Sequence, residues 1–264
     1  MTERLDSAMA RLCAEGRTGV IPYVTIGFPA VQDTLAIVPA LEAAGADVIE
    51  LGVPYSDPLA DGPTIQAASY RALEAGMDTA TCIGIVKRLR ADGVTVPLLF
   101  MGYYNPILTY GVERFVDGCA GAGLDGLIVA DLPPEESDRI RVALRARGMA
   151  LIPLLAPTST EERIELGTSG AEGFVYCVSV AGVTGARAEL PESLPAFVAR
   201  VRGHTSLPIA VGFGVSERRH VEAVGAVADA AVVGSALIDV IDSAPPGERA
   251  AKAGAFVSAL TGRS

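Results

Sequence analysis

Lysine and histidine are nearly missing from this chain. Of 264 residues, only Lys87 and Lys252 are lysine and only His204 and His220 are histidine; the other 19 of its 21 basic residues are arginine. Both lysines fall in helical segments, outside the apolar runs, so imine chemistry lacks its nucleophile. Two scattered histidines do not make the clustered ligand set of a catalytic metal site, and both are read as structural. The four cysteines (Cys13, Cys82, Cys119, Cys177) contain no C-x-x-C and lie far apart. That spacing excludes a zinc knuckle and a disulfide framework, leaving small buried hydrophobes. No apolar run reaches membrane-span length; the most apolar late stretch, AVADAAVVGSALIDVI, is broken by Asp229 and Asp239. The start, MTERLDSAMARLCAEGR, reads as a charged amphipathic helix, not a signal peptide, so a soluble cytoplasmic protein is expected. A net charge of −10 argues against nucleic acid or an anionic membrane as partner.

What the chain has is repetition. Half of it is hydrophobic, and apolar runs recur at 20–27, 46–52, 97–103, 126–132, 150–156, 173–179, 208–214 and 230–236. Amphipathic segments separate them, many closing on glycine. Continuous apolar strands alternating with helices predict a parallel sheet. Eight such units predict an α/β fold of the (β/α)8 (TIM) barrel type, one domain over 1–264. An extra N-terminal helix and a short helix near the eighth strand complete it. A doubly wound sheet usually needs fewer strands, and no G-x-G-x-x-G follows the first run.

In such a barrel the functional face lies at the C-terminal ends of the strands. Glu50 stands between Ile49 and Leu51, and strand alternation sends it the opposite way from them, into the barrel mouth. A buried carboxylate there has a raised pKa and can donate a proton. On the loop that follows, Asp57 and Asp61 are both candidates for a second, ionised carboxylate, and residue physics alone leaves them even. Glycine-rich stretches close three adjacent strands: Ala181–Arg187, Gly212–Gly214 and Val233–Ala236. Together they predict a phosphate site built from backbone N–H groups, with the Ser235 hydroxyl at a helix start. Tyr176 is placed near the site, while Tyr23, Phe100, Met101, Ile128 and Phe213 are core residues whose strand-end members can wall an apolar pocket.

ELGVPYSDPLADGPTIQ (50–66) resembles the strand-2 signature of the tryptophan synthase alpha subunit family. YYNPI (103–107), VADLPPEE (129–136), GVTGAR (182–187) and GFG (212–214) follow in the family's order. The resemblance spans essentially the whole chain. It implies a lyase of tryptophan biosynthesis that cleaves indole-3-glycerol phosphate to indole and glyceraldehyde 3-phosphate. It also implies no cofactor in this chain and a beta-subunit partner carrying pyridoxal phosphate in an alpha2–beta2 assembly. Carried over, Glu50 is the catalytic acid/base and Asp61, not Asp57, the second catalytic carboxylate. Tyr23, Met101, Ile128, Tyr176 and Thr184 join the substrate site, and Gly185, Phe213, Gly214, Gly234 and Ser235 the phosphate end. Tyr23 and Tyr55 depart from the phenylalanine expected in many members. The alternatives are another phosphate-binding barrel isomerase or lyase, and a silent subunit that only activates a partner.

Overall fold

The apolar runs become short parallel strands: β1 (Gly19–Thr25), β2 (Ile49–Gly52), β3 (Leu98–Gly102), β4 (Gly126–Val129), β5 (Ala150–Leu151), β6 (Leu154–Leu155), β7 (Val175–Val178), β8 (Ile209–Gly212) and β9 (Ala230–Val233). The structure is a computed structural model and describes residues 3–178, 191–212 and 214–262. The strands form one sheet in the order β5-β4-β3-β2-β1-β9-β8-β7-β6. Its two ends are the same stretch of chain. β5 and β6 are halves of the predicted fifth run, split where Pro153 has no N–H to give to a ladder. Ile152 N–H donates to Leu127 O on one side at 2.9 Å, and Tyr176 N–H to Pro153 O on the other at 2.9 Å. The sheet therefore closes, and its eight staves make the expected (β/α)8 barrel.

Twelve α-helices are described: α1 (Glu3–Glu15), α2 (Val31–Ala43), α3 (Pro63–Glu74), α4 (Thr79–Ala91), α5 (Tyr104–Tyr110), α6 (Val112–Ala122), α7 (Asp138–Arg145), α8 (Glu161–Thr168), α9 (Leu194–Arg202), α10 (Arg218–Gly225), α11 (Ser235–Ser243) and α12 (Arg249–Thr261). α12 packs against α2 and α11, joining the last helix to the first of the outer ring. No helix among the described residues is long and apolar enough to cross a membrane.

Strand alternation sorts the apolar residues into two cores. Ile49, Leu51, Leu98 and Phe100 join the layer between strands and helices, while Ile21, Val48, Leu99, Ile128 and Tyr176 fill the barrel interior. The bottom of the interior is closed by α1. Leu5, Ala8, Met9 and Leu12, spaced three or four apart, form its buried face. Leu5 and Leu12 sit where Gly173 and Gly19 leave room: a Cβ on either glycine would come within 2.5 or 2.6 Å of the leucine methyl. At about 1.5–3 kcal/mol for each fully buried large side chain, this plug is a principal tie between the chain's first helix and the barrel. Cys82, Cys119 and Cys177 are buried as expected; Cys13 is exposed, because it follows Leu12 around the helix onto the outer face.

Candidate active site

β2 delivers Glu50 to the barrel interior with no exposed surface at all. It pairs in register with Tyr23 of β1 and Leu99 of β3, both inward-pointing neighbours. Neither carboxylate oxygen finds a hydrogen-bond partner among the described residues. Burial alone pushes its pKa from 4.5 to about 8, so at neutral pH this carboxyl holds its proton.

Asp61 comes from the loop between β2 and α3. Gly62 caps α3 and Pro63 occupies its first turn, with Asp61 just outside the helix. Asp61 is half-buried, and its Oδ2 accepts a hydrogen bond from the Tyr103 hydroxyl at 3.0 Å. Burial raises its pKa to about 6 and the tyrosine bond opposes the rise, so Asp61 is ionised at neutral pH while Glu50 is not. Asp57 is different: it is exposed and bonded to its neighbour Ser56. Of the two candidates left even by residue type, only Asp61 reaches the interior.

Three tyrosines surround this pair. Tyr23 and Tyr176 are buried, and both hydroxyls are pushed well above the ordinary tyrosine range, first by burial. The next contribution is the negative charge of Asp61 for Tyr23 and of Glu50 for Tyr176. Both rings lie in notches cut by glycine on the adjacent strand. A Cβ on Gly52 would sit 2.0 Å from the Tyr23 hydroxyl, and one on Gly212 would sit 2.5 Å from that of Tyr176. The absence of side chains at these strand ends is what lets the tyrosines lie across the mouth. Tyr103 is the third, raised by burial and then by Asp61. Sequence reading placed it in a motif and gave it no role; its signal was a tyrosine at the end of a strand, beside a loop that carries a carboxylate.

The other expected site residues fall as follows. Met101 and Ile128 are register partners on β3 and β4; Ile128 belongs to the interior cluster and the partly buried Met101 packs against it. Gly234 caps α11 and lies beside Tyr23 and Ile65. Ser235 opens that helix, and its buried Oγ has no hydrogen-bond partner among the described residues. Gly214 follows β8 with φ +20°. Thr184, Gly185 and Phe213 lie outside the described residues. Phe100 points outward and packs on Phe115, so it is core. His204 pairs with Glu161 and His220 with Ser216, both before or beyond the strand ends that hold the carboxylates.

The comparisons with known proteins agree with this geometry. The family described as "Tryptophan synthase alpha chain" matches residues 9–260. The tryptophan synthase alpha chain of Roseiflexus sp. (strain RS-1) is 54% identical over 259 residues, 98% of this chain and 99% of the relative. The crystal structure of tryptophan synthase subunit alpha from Legionella pneumophila str. Paris superposes with a TM-score of 0.90 at 35% identity, covering 98% and 97% of the two chains. A chain of the tryptophan synthase complex from Pyrococcus furiosus gives 0.85 at 37% identity, covering 92% and 98%. With its barrel, its paired mouth carboxylates and these relatives, the chain belongs to the tryptophan synthase alpha chain family.

Proposed function

We propose that this barrel, acting as one domain over 1–264, cleaves indole-3-glycerol phosphate to indole and D-glyceraldehyde 3-phosphate, with Glu50 and Asp61 as its catalytic residues. The carrying observation is the Glu50 carboxyl, fully buried, without a hydrogen-bond partner among the described residues and protonated up to about pH 8. A protonated acid in a dry interior is suited to placing a proton on ring carbon C3. The ring itself then accepts the electrons of the breaking bond, as an indolenine-like species, so no imine or metal is required. As positive charge develops on the ring nitrogen, ionised Asp61 holds the N–H. Glu50, once deprotonated, helps remove the glycerol hydroxyl proton as the carbon–carbon bond opens. Tyr23, Met101, Ile128 and Tyr176 wall the apolar end, with Thr184.

The phosphate end is assigned to Gly185, Phe213, Gly214, Gly234 and Ser235. Supporting it, the free N–H groups at the start of α11 carry partial positive charge, and the unpartnered Ser235 hydroxyl adds a donor. The chain needs no cofactor of its own in this reading, and works in the cytoplasm. Its partner is the beta subunit, which carries pyridoxal phosphate, in an alpha2–beta2 assembly. A surface for it lies on the mouth side, where Leu59 is 91% exposed beside Pro58 and Leu108 of α5 is 47% exposed. Mixing the purified chain with indole-3-glycerol phosphate and following indole release tests the reaction. A folded chain that releases no indole, alone or with its beta subunit, would refute it.

A further inference from the structure

The stretch 53–62, between β2 and α3, has no regular structure, yet one of the two mouth carboxylates hangs from it. Its own backbone supplies two hydrogen bonds, Leu59 N–H to Asp57 O and Asp61 N–H to Pro58 O. Gln66 and Ser69 of α3 tie the loop to the helix through the Asp61 and Tyr55 main chain. Among the described residues, Tyr103 is the side chain that ties it to the barrel near Asp61. The ring is 6% exposed and follows directly on β3, packed against Tyr55 with centroids 5.1 Å apart. The Tyr55 hydroxyl in turn receives Asn105 Nδ2 at 3.3 Å.

The chemistry of the Tyr103 oxygen is directional. A phenol has one proton to give and lone pairs to receive with. One lone pair takes the Ala60 N–H at 3.0 Å, and the proton goes to Asp61 Oδ2 at 3.0 Å. Oδ1 of Asp61 carries no hydrogen bond among the described residues. We propose that Tyr103 is the positioning residue of Asp61: one hydroxyl fixes the loop backbone and one carboxylate oxygen, leaving only Oδ1 to face the substrate. The proposal rests on the reading of Asp61 as the group that meets the ring N–H.

A donor to the carboxylate favours its ionised form, so losing it shifts Asp61 toward the protonated form. The test uses the full chain with and without Tyr103→Phe, each also in an Asp61→Asn background. The expected result has three parts. The Asp61 carboxyl, followed by carbon-13 NMR, titrates at higher pH in Tyr103→Phe than in the unaltered chain. Its kcat for indole release falls about tenfold or more, while KM changes by less than about threefold, because misplacement by about 1 Å costs on the order of 10²-fold. In the Asp61→Asn background the same change costs less than about twofold, as expected when two residues act as one unit. An unmoved titration midpoint, or an equal rate loss in both backgrounds, overturns the proposal. Should Tyr103→Phe fail to fold, hydrogen exchange of the unaltered chain decides: the Ala60 amide, on an exposed stretch, is expected to be protected, and free exchange overturns the clamp. Full turnover by Asp61→Asn would instead sink the reading of the site, while the NMR titration still judges whether Tyr103 holds the carboxylate.

Discussion

The two ends of this barrel treat carboxylates in opposite ways. At the bottom, Asp47, Asp125 and Asp229 each stand just before a strand and each take the N–H of a residue at the start of another, Val20, Leu98 and Ile209. Each also takes arginine: Asp47 binds Arg17 through two bonds, Asp125 binds both Arg4 and Arg90, and Asp229 binds Arg202. Every one of these charges is answered. At the mouth, among the described residues, Glu50 has no hydrogen-bond partner and Asp61 has one tyrosine. Burial by itself therefore does not mark a functional carboxylate. Asp125 is 5% exposed and structural, while Glu50 at 0% is costly to keep ionised because nothing compensates its burial. The bottom's paired charges stabilise the barrel, while the mouth gives up stability to keep a carboxyl that holds its proton.

The largest expected effect breaks the mouth. Glu50→Gln should lose on the order of 10²–10⁴-fold in indole release. It should also be more stable than the unaltered chain, and the sign follows from the raised pKa. A carboxyl raised from 4.5 to about 8 destabilises the fold only where the unfolded chain would ionise it. The stability gap should thus be absent below about pH 4.5, grow up to about pH 8 and then level off at about 5 kcal/mol, on the order given by linkage. Denaturant melts at three pH values check this; a Gln variant less stable at pH 8.5 would contradict it.

The bottom should respond in reverse. Asp125→Ala strips the carboxylate partner from half-buried Arg90 and the acceptor from the Leu98 N–H, and should cost about 3 kcal/mol of stability. Its kcat, measured well below the melting temperature, should stay within about twofold of the unaltered chain. A large kcat loss without loss of stability would dissolve the contrast between the two ends. Smaller still is Gly212→Ala, whose new methyl must push the Tyr176 ring out of its notch. About 1–3 kcal/mol of overpacking is expected, read as weaker binding of a substrate analogue by calorimetry.

The gentlest probe is pH itself. kcat should rise as Asp61 ionises through about pH 6 and fall as Glu50 loses its proton through about pH 8. Asp57→Asn should leave both limbs in place. A profile flat across that range would mean that the two carboxylates do not titrate in the rate-limiting step.

Much of this was readable from the chain. Each of the eight apolar runs overlaps a barrel stave, because a strand buried on both faces writes itself as unbroken hydrophobicity; most runs overshoot the strand by a few residues at one or both ends. Glu50 was legible by alternation alone. Asp61 was not separable from Asp57 by residue type, since the choice depends on how the loop folds back over Tyr103. The paired arginines at the bottom were missed although a regular signal was present: GADVIE, GLDGLI and VADAAV each set an aspartate just before an apolar run. The glycine notches under Tyr23 and Tyr176 needed the sheet register, which no single strand reveals.

The N-terminal plug bears on how the chain is made. α1 leaves the ribosome before every strand it seats against, and its seat is lined by residues from across the sequence, from Ile21 and Val48 to Phe174 and Ala230. Until β9 has emerged and closed the sheet there is nothing complete for Leu5, Met9 and Leu12 to sit on. A free helix of 13 residues is marginal in water, so during most of synthesis this segment is an unseated amphipathic strip. A helix made before the strands is thus among the last parts finished, and its leucines stay open to nascent-chain helpers until the barrel can take them in.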